Sequence, residues 1–194
     1  TLRVTVTANG TADTAEQRIG IRTIQVSSKT GLLLNGQPRT MKGGCIHHDL
    51  GILGAADHAA AERRRIRLMK ESGFDAIRAA HNPFGPAFLD ACDELGMLVV
   101  EEAFDEWVMG RTSFGLHVTF EQCWEKDLED MITRDYNHPC IVMWSTGNEV
   151  EERDGTADGF AWAKRLANKV RSLDASRPVS ATACALFSEY GNRP

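Results

Sequence analysis

The sequence predicts an α/β fold in which parallel strands alternate with helices, preceded by a short β segment. From Arg39 onward, short apolar runs alternate with longer amphipathic stretches, the pattern of βαβ units with right-handed crossovers. The run 97–101 is almost entirely apolar, as expected for a strand of a parallel sheet that is covered on both faces. The first segment instead shows two-residue alternation and turn signals, which are typical of β-rich domains.

The β segment occupies residues 1 to about 30. Apolar and polar residues alternate over 2–7, which predicts a half-buried strand, and an Asn-Gly turn signal follows it. A second strand is predicted at 19–26. Residues 32–38 are predicted to form a short hairpin around a second Asn-Gly pair. We therefore expect the end of a β-rich domain here, followed by a junction.

Five strands and four helices are predicted after this junction. The predicted strands are 40–46, 74–79, 97–101, 140–145 and 178–182. The predicted helices are 57–72, 86–95, 120–136 and 156–173. Asp57 is the expected N-cap of the first helix, and Gly73 and Gly96 are expected to end the first and second helices.

Two architectures accommodate this alternation, a doubly wound open sheet and a (β/α)8 barrel. The sequence contains neither the G-x-G-x-x-G fingerprint nor a Walker A loop. Polar residues follow four of the strands instead, and in a barrel the strand ends converge on one face, where active sites lie. Because a complete barrel needs about 250 residues, we expect a partial (β/α)8 TIM barrel of about five strands and four helices.

Composition and charge exclude several classes of protein. With 42% hydrophobic and 25% charged residues, the chain is expected to fold. A net charge of −5 disfavours non-specific binding to nucleic acid or anionic membranes, and no apolar run is long enough to span a bilayer. The five cysteines form no C-x-x-C pair, which predicts reduced thiols in a cytoplasmic protein. Because the chain begins at Thr1 without a signal-peptide pattern, we expect it to be cut from a longer chain, and a signal upstream stays open.

The strongest candidate for chemistry is the run Trp-Ser-Thr-Gly-Asn-Glu that ends at Glu149. A carboxylate at the tip of an apolar strand is expected to be partly desolvated, which raises its pKa and suits a general acid. Asn148 beside it is suited to holding a substrate hydroxyl. The alternative is that Glu149 only begins an acidic loop that continues to Glu152.

A second candidate pair is Arg78 and His81, which follow the second strand. Arg78 is expected to orient a carboxylate, and His81 to bind a sugar or acid oxygen. The alternatives are a structural ion pair of Arg78 with Glu101 or Glu102, and a core position for His81.

The adjacent residues His47, His48 and Asp49 are a weaker candidate for a metal site. Adjacent residues of a strand face opposite sides, and the H-x-H spacing of barrel metallohydrolases is absent. Contact of His47 with substrate is therefore preferred. A metal-dependent hydrolase that uses both histidines and His81 stays a minor alternative.

The acidic stretch 101–106 follows the third strand and ends beside Trp107. One of its carboxylates is expected to pair with Arg78 and another to reach substrate. Trp107 and Trp144 are each suited to an aromatic platform for a sugar face, although filling the core is the commoner role of a lone tryptophan.

These motifs together resemble glycoside hydrolase family 2, the β-galactosidase, β-glucuronidase and β-mannosidase group. The matching stretches run in the family's order from about residue 19, and their combination is specific although each alone is weak. They are Gly20–Ile24, Leu34–Pro38, Lys42–Asp49, Met69–Pro83, Asp93–Glu102, Asn137–Pro139 and Trp144–Glu149.

The resemblance implies a retaining glycosidase with a carbohydrate substrate, most similar to a β-galactosidase. It implies that residues 1–30 end an immunoglobulin-like sandwich and that 31–194 begin a TIM-barrel catalytic domain. Glu149 matches the acid/base, and Asn148 its partner at the sugar 2-hydroxyl. His47, Arg78 and His81 match active-site positions, and Glu102 and Glu106 match acidic rim positions.

A retaining glycosidase needs a second carboxylate as nucleophile about 5–5.5 Å from the first. In this family it follows a later strand, and neither Glu151, Glu152 nor Glu189 stands in the matching context. We therefore expect this chain alone to be inactive. No cofactor is expected: some relatives hold magnesium through a Glu and a His, but Val108 stands at the position that matches that His.

One further expectation follows from the incomplete barrel. The first and fifth strands would expose unpaired edges, which favours self-association. The alternatives to a β-galactosidase are a β-glucuronidase or another member of the family, and a non-catalytic carbohydrate-binding or interaction module on the same scaffold.

Overall fold

A computed structural model describes residues 1–182 of the chain, so Cys184 and Glu189 lie outside the described residues. The strands are β1 (Leu2–Ala8), β2 (Thr11–Gln17), β3 (Ile24–Ser27), β4 (Gly31–Leu34), β5 (Gln37–Pro38), β6 (Gly43–Ile46), β7 (Ala76–Ala79), β8 (Leu98–Glu102), β9 (Ile141–Asn148) and β10 (Val179–Thr182). The helices are α1 (Ala59–Glu71), α2 (Pro86–Leu95), α3 (Phe120–Asp135) and α4 (Gly159–Leu173). Four short 3₁₀ turns, at 51–53, 116–118, 151–154 and 156–158, connect these elements.

The N-terminal segment forms two small antiparallel sheets. β1 pairs with β2, and β3, β4 and β5 form a three-stranded sheet. The prediction of a second strand at 19–26 is wrong in its first half, since β2 lies earlier and β3 begins at Ile24. β2 has the sequence TADTAEQ, with no apolar alternation to reveal it, and pairing with β1 defines it as a strand.

The three-stranded sheet packs against the beginning of the parallel strands. Ile24 and Leu34, together with Met41, contact a small core of Ala76, Leu98 and Val142. The pairing of β3 with β4 also crosses residue 30. Assignment of residues 1–30 to an immunoglobulin-like domain stays a prediction.

The remaining strands form the predicted parallel sheet, in the order β6-β7-β8-β9-β10. The strands lie side by side in the order in which they occur along the chain, so the strand order does not reverse at any point of the described sheet. A doubly wound fold requires such a reversal, whereas a barrel adds each strand beside the previous one. The five strands and four helices are therefore an arc of a (β/α)8 barrel. β6 and β10 are the edge strands among residues 1–182, and association through them stays a prediction.

The main core lies between the sheet and the helices. It buries apolar residues from α1, α2, α3 and α4 against β7, β8 and β9, among them Ile66, Phe88, Leu89, Val99, Leu128, Ile141 and Leu166. α2 has the predicted bounds, and Gly96 ends it in the left-handed conformation at φ 69°. No helix among residues 1–182 is long and apolar enough to cross a membrane.

Two predicted helix starts are wrong in detail. His58, rather than Asp57, is the N-cap of α1. The Asp57 carboxylate instead accepts a hydrogen bond from the backbone N–H of Ala87, in the first turn of α2, at 3.1 Å. α4 begins at Gly159 because Ala157 and Asp158 have positive φ values and form a separate 3₁₀ turn.

A buried ion pair joins the segment before β10 to β9. Asp174 is 1% exposed, and its Oδ2 accepts hydrogen bonds from Trp144 Nε1 at 2.8 Å and from Arg177 Nη1 at 2.5 Å. Arg177 Nε also donates to the carbonyl of Ile141 at 2.9 Å. Burial works against the ionised carboxylate, but hydrogen bonds from Ser176, Trp144 and Arg177 outweigh it and lower the pKa of Asp174 to about 2.

Asp174→Asn is expected to lower the free energy of unfolding by about 3–5 kcal/mol at pH 7, because it leaves Arg177 buried without its counter-charge. The stabilisation by the ionised Asp174 is present above its ordinary pKa of 3.8 and is lost as the pH falls towards 2. Urea unfolding of both proteins between pH 7 and pH 2 should therefore show a difference that shrinks below about pH 4. Asp130→Asn, in an exposed pair with Lys126, is the control and should cost less than about 1 kcal/mol. A constant difference across this pH range would contradict the prediction.

Candidate active site

The carboxyl ends of the parallel strands gather a polar cluster centred on Glu102, the last residue of β8. Glu102 is 0% exposed, and its carboxylate accepts hydrogen bonds from Nε and Nη2 of Arg78 at 2.8–3.0 Å. The Ser145 hydroxyl donates to its Oε2 at 2.7 Å, and His81 Nδ1 lies 2.7 Å from its Oε1. Glu102 therefore joins β7, β9 and the loop after β7 in one network.

Strand register explains why Arg78 pairs with Glu102 rather than with Glu101. Arg78 stands opposite Val100, and side chains two residues apart on a strand share a face. Glu102 therefore lies on the inner face of the sheet with Arg78, whereas Glu101 lies on the helix side. The expected pairing of one carboxylate of this stretch with Arg78 is confirmed for Glu102.

Asn148 is buried at the end of β9 and is held from two sides. Its Oδ1 accepts a hydrogen bond from Arg78 Nη2 at 2.7 Å, and its Nδ2 donates to Asp105 Oδ1 at 2.8 Å. Because one neighbour is a donor and the other an acceptor, the amide has a single favourable orientation. Asp105 is also paired with Arg111.

Glu149 follows Asn148 and extends from the end of β9 into solvent. Its φ of 47° lies in the left-handed region, and its backbone N–H donates to the carbonyl of Thr182 in β10 at 2.8 Å. The sequence predicts a partly desolvated carboxylate at this position. That prediction is wrong for the described residues, because the Glu149 side chain lies beyond the packed strand and is exposed.

The two adjacent histidines follow the end of β6 and have different surroundings. His47 is exposed, and its ring lies edge-on to His81 with the ring centroids 5.0 Å apart. The ring of His48 instead stacks on Phe84, with the ring centroids 4.0 Å apart. Asp49 accepts a hydrogen bond from the N–H of Gly51. The structure thus brings His47 to the polar cluster and separates it from His48 and Asp49.

Glu101 occupies the opposite face from Glu102 and is completely buried. Its Oε1 accepts a hydrogen bond from the N–H of Phe84 at 2.7 Å, and its Oε2 has no partner among residues 1–182. Burial raises the pKa of Glu101 to about 8, against the opposing effect of the Phe84 hydrogen bond. This carboxyl group faces the core and does not contribute to the cluster.

Glu106 is buried and holds the following loop instead of presenting a free carboxylate. Its oxygens accept hydrogen bonds from the backbone N–H groups of Arg111 and His117, and His117 Nδ1 lies 3.1 Å away. Burial opposes ionisation, but these contacts outweigh it and lower the pKa of Glu106. The oxygens of Glu106 are therefore occupied by its own loop, and the expectation that no magnesium is held here stays a prediction.

Trp107 and Trp144 are 2% and 0% exposed and belong to the core. In the described residues they therefore fill the core and do not form a sugar platform. Each indole N–H is used internally: Trp107 Nε1 donates to the carbonyl of Thr146, and Trp144 Nε1 donates to Asp174.

A group of Asp93, His138 and Cys140 has the ligand spacing of a metal site within residues 1–182, before the start of β9. Its atoms already bond to one another, since Asp93 accepts from the Cys140 N–H at 2.8 Å and lies 2.7 Å from His138 Nδ1. Burial works against the charged His138, but Asp93 outweighs it and raises the pKa of His138. Burial also keeps the Cys140 thiol protonated by raising its pKa. These contacts attach α2 to the loop before β9, which is a structural role.

The sequence predicts no individual role for Asp105 or Ser145. Ser145 stands opposite Glu102 in the register of β8 and β9, which no local pattern reveals. Asp105 lies in the loop after β8, and only the folded chain places it against Asn148.

The strand order and the cluster define part of a (β/α)-barrel domain whose polar residues lie at the carboxyl ends of the strands, where the active sites of such barrels are found. Comparison with known proteins gives the family. Residues 24–189 match the family model for glycosyl hydrolases family 2, TIM barrel domain. The chain belongs to this family.

The relatives of the chain include more than one activity. It is 38% identical over 193 residues to a β-galactosidase of Bacteroides ovatus, covering 84% of this chain and 23% of the relative. It is also 38% identical over 147 residues to a putative β-glucuronidase of Formosa agariphila, covering 76% of this chain and 14% of the relative. A solved family 2 member from Bacteroides cellulosilyticus superposes with a TM-score of 0.89 and 41% identity, over 97% of this chain and 24% of that chain. The chain thus spans about a quarter or less of these proteins.

Proposed function

We propose that this chain supplies the acid/base half of the active site in a retaining β-glycosidase that hydrolyses terminal β-linked sugars. The observation that carries the proposal is the end of β9. There Asn148 is fixed between Arg78 and Asp105, and Glu149 extends beyond it into solvent. A carboxylate at the carboxyl end of a barrel strand stands where the leaving group of a bound sugar can reach it.

In the proposed reaction Glu149 protonates the glycosidic oxygen as the bond to the leaving group breaks. It then removes a proton from the water that releases the sugar from the enzyme. The second carboxylate attacks the anomeric carbon. Glu102 is not assigned this role because Arg78, His81 and Ser145 occupy its oxygens. We assign the nucleophile to a part of the enzyme outside this chain, so the chain by itself should not turn over substrate.

The substrate class proposed first is a β-galactoside. Two arginines belong to the cluster, and each faces a carboxylate: Arg78 pairs with Glu102, and Arg111 pairs with Asp105. Because each guanidinium already faces a carboxylate of this chain, binding of a uronic acid carboxylate by these two arginines is disfavoured. The second candidate is a β-glucuronide, since one relative is described as a putative β-glucuronidase.

The catalytic step is proposed to need no metal or organic cofactor, since two carboxylates supply the proton transfers and the nucleophile. A cytoplasmic location is proposed as well. The four described cysteines are free thiols, as proteins of a reducing compartment have, and they support this location.

The test uses the full-length enzyme that contains this chain, with β-galactosides, β-glucuronides and β-mannosides whose leaving groups need protonation. Glu149→Gln should lower kcat/KM by roughly 10²–10⁴-fold, because an amide cannot donate and recover the proton. The matched control is Glu151→Gln, an exposed glutamate two residues further on. It should leave the rate nearly unchanged, and so should EDTA in the wild-type assay.

Each outcome assigns the function differently. Cleavage of the galactoside alone, lost in Glu149→Gln, supports the first candidate, whereas cleavage of the glucuronide alone selects the second. If the folded full-length protein cleaves none of the sugars but binds one, the chain belongs to a carbohydrate-binding module and the enzyme proposal is wrong.

A further inference from the structure

The indole of Trp107 lies against the strand end that carries Asn148 and Glu149. Trp107 is 2% exposed, and its Nε1 donates a hydrogen bond to the carbonyl of Thr146 at 2.8 Å. A buried carbonyl that loses such a donor is left without compensation for its lost hydration. This bond therefore fixes the backbone three residues before Glu149.

Gly147 allows the backbone to lie directly on this indole. A Cβ atom at Gly147 would stand 2.7 Å from Trp107 Nε1 and 2.9 Å from Cγ1 of Val150. Both distances are shorter than side-chain contacts in proteins, so the glycine and the tryptophan are fitted to each other. No other residue type fits at 147 without displacing the indole, Val150 or the strand end.

The other side of the same segment is attached to β10. Thr146 Oγ1 donates to the carbonyl of Ser180 at 3.3 Å, and the N–H of Glu149 donates to the carbonyl of Thr182 at 2.8 Å. The segment is therefore held between the Trp107 indole and β10. Because the Glu149 side chain is exposed, its position depends on its backbone rather than on packing around its own atoms.

We propose that Trp107 is a positioning residue for Glu149, acting through the backbone of Thr146 and Gly147. This inference rests on the proposed acid/base role of Glu149. A general acid must come within about 2.6–3.2 Å of the oxygen that it protonates. A misplacement of about 1 Å can cost roughly 10²-fold in rate even though the group itself is intact.

The test uses kinetics of the full-length enzyme with two substrates of the same sugar. One carries an alkyl or sugar leaving group that needs protonation, and the other a dinitrophenyl group that departs without it. Trp107→Phe keeps a ring in the core but removes the N–H donor to Thr146. We expect kcat/KM to fall on the order of 10- to 100-fold for the first substrate and only a few-fold for the second.

A second variant approaches the same contact from the other side. Gly147→Ala should produce the same selective loss, because its methyl group meets the indole nitrogen. The double variant Trp107→Phe, Gly147→Ala should recover part of the activity of Gly147→Ala, because phenylalanine lacks the pyrrole part of the indole. Trp124→Phe is the control, since Trp124 packs on Trp162 in the helical layer and should affect neither substrate.

The outcomes separate the two proposals. A selective loss in both single variants, with partial recovery in the double variant, supports positioning by Trp107. An equal loss for both substrates shows a general structural role and overturns the inference, as does an absence of loss. If Trp107→Phe does not fold, Gly147→Ala with the same pair of substrates decides between these outcomes. If Glu149→Gln changes neither substrate, the proposed function itself fails.

Discussion

Glu102→Ala is expected to lower the free energy of unfolding of this chain by about 3–5 kcal/mol. The carboxylate is completely buried, and its removal takes the counter-charge from Arg78 and the hydrogen-bond partner from Ser145 and His81. Removing one partner of a buried pair costs more than the pair contributes, because the other charge stays desolvated. Urea unfolding followed by circular dichroism at pH 7 measures this loss.

Two further variants show whether the effect comes from the network. Glu102→Gln keeps an acceptor for Ser145 and should cost less than the alanine variant. Glu125→Ala, which removes an exposed partner of Lys169, should cost less than about 1 kcal/mol. In the full-length enzyme Glu102→Ala should also lower activity, since Arg78 would no longer hold Asn148. A Glu102→Ala protein as stable as the Glu125→Ala control would contradict the network described here.

Glu101→Gln is expected to remove a large pH dependence of stability. Burial raises the pKa of Glu101 from an ordinary 4.5 to about 8, so the folded chain keeps this carboxyl group protonated at neutral pH. The unfolded chain releases the proton above about pH 4.5. Stability therefore falls as the pH rises from about 4.5 towards 8, by up to about 5 kcal/mol.

The glutamine variant has no proton to lose at this position, so its stability should not fall for this reason. We expect it to be close to the wild type at pH 5 and more stable at pH 9. Thermal or urea unfolding of both proteins at pH 5, 7 and 9 measures the difference. Glu121→Gln, an exposed change in the first turn of α3, is the control and should leave the pH dependence unaltered. Parallel stability curves for the wild type and Glu101→Gln would show that Glu101 ionises normally in the folded chain.

The opposite surroundings of Glu101 and Glu102 come from the alternation of a single strand. Glu101 faces the helices, where one backbone N–H contacts it, and Glu102 faces the inner side of the sheet, where Arg78 pairs with it. Two adjacent glutamates thus differ in the groups that contact their carboxyl oxygens and in their structural role. The tertiary arrangement, rather than the residue type, makes Glu102 the centre of the cluster.

Much of the fold follows from patterns within short stretches of sequence. α2 has the predicted bounds because Pro86 suits the first turn of a helix and Gly96 suits its left-handed end. The parallel strands are apolar enough to be found near their true positions. β2 is not predicted because its sequence has no apolar alternation, whereas β1 alternates although it is equally exposed. The role of Asp57 also depends on a distant contact, because its carboxylate accepts a hydrogen bond from Ala87 in α2, thirty residues further along the chain.

Some residues of the candidate site could likewise be identified from the sequence, and others could not. Arg78, His81, Asn148 and Glu149 could be selected from the sequence, since polar residues after apolar strands collect at one end of a parallel sheet. The functional roles of these residues stay predictions. The sequence alone could not show that Glu106 is occupied by its own loop, nor that Asp105 holds the amide of Asn148.

By itself the sequence determined the alternation of strands and helices, the end of the sheet that carries the polar residues, and the family. These features depend on hydrophobic periodicity and on short motifs, both of which involve residues close together in the sequence. Only the tertiary structure decided which carboxylate pairs with Arg78, which tryptophan contacts the backbone before Glu149, and which acidic side chains are bound in the core or by a loop. Those choices depend on strand register and on contacts between residues distant along the chain, and the free energy of burying a charge is set by the partners that such contacts supply.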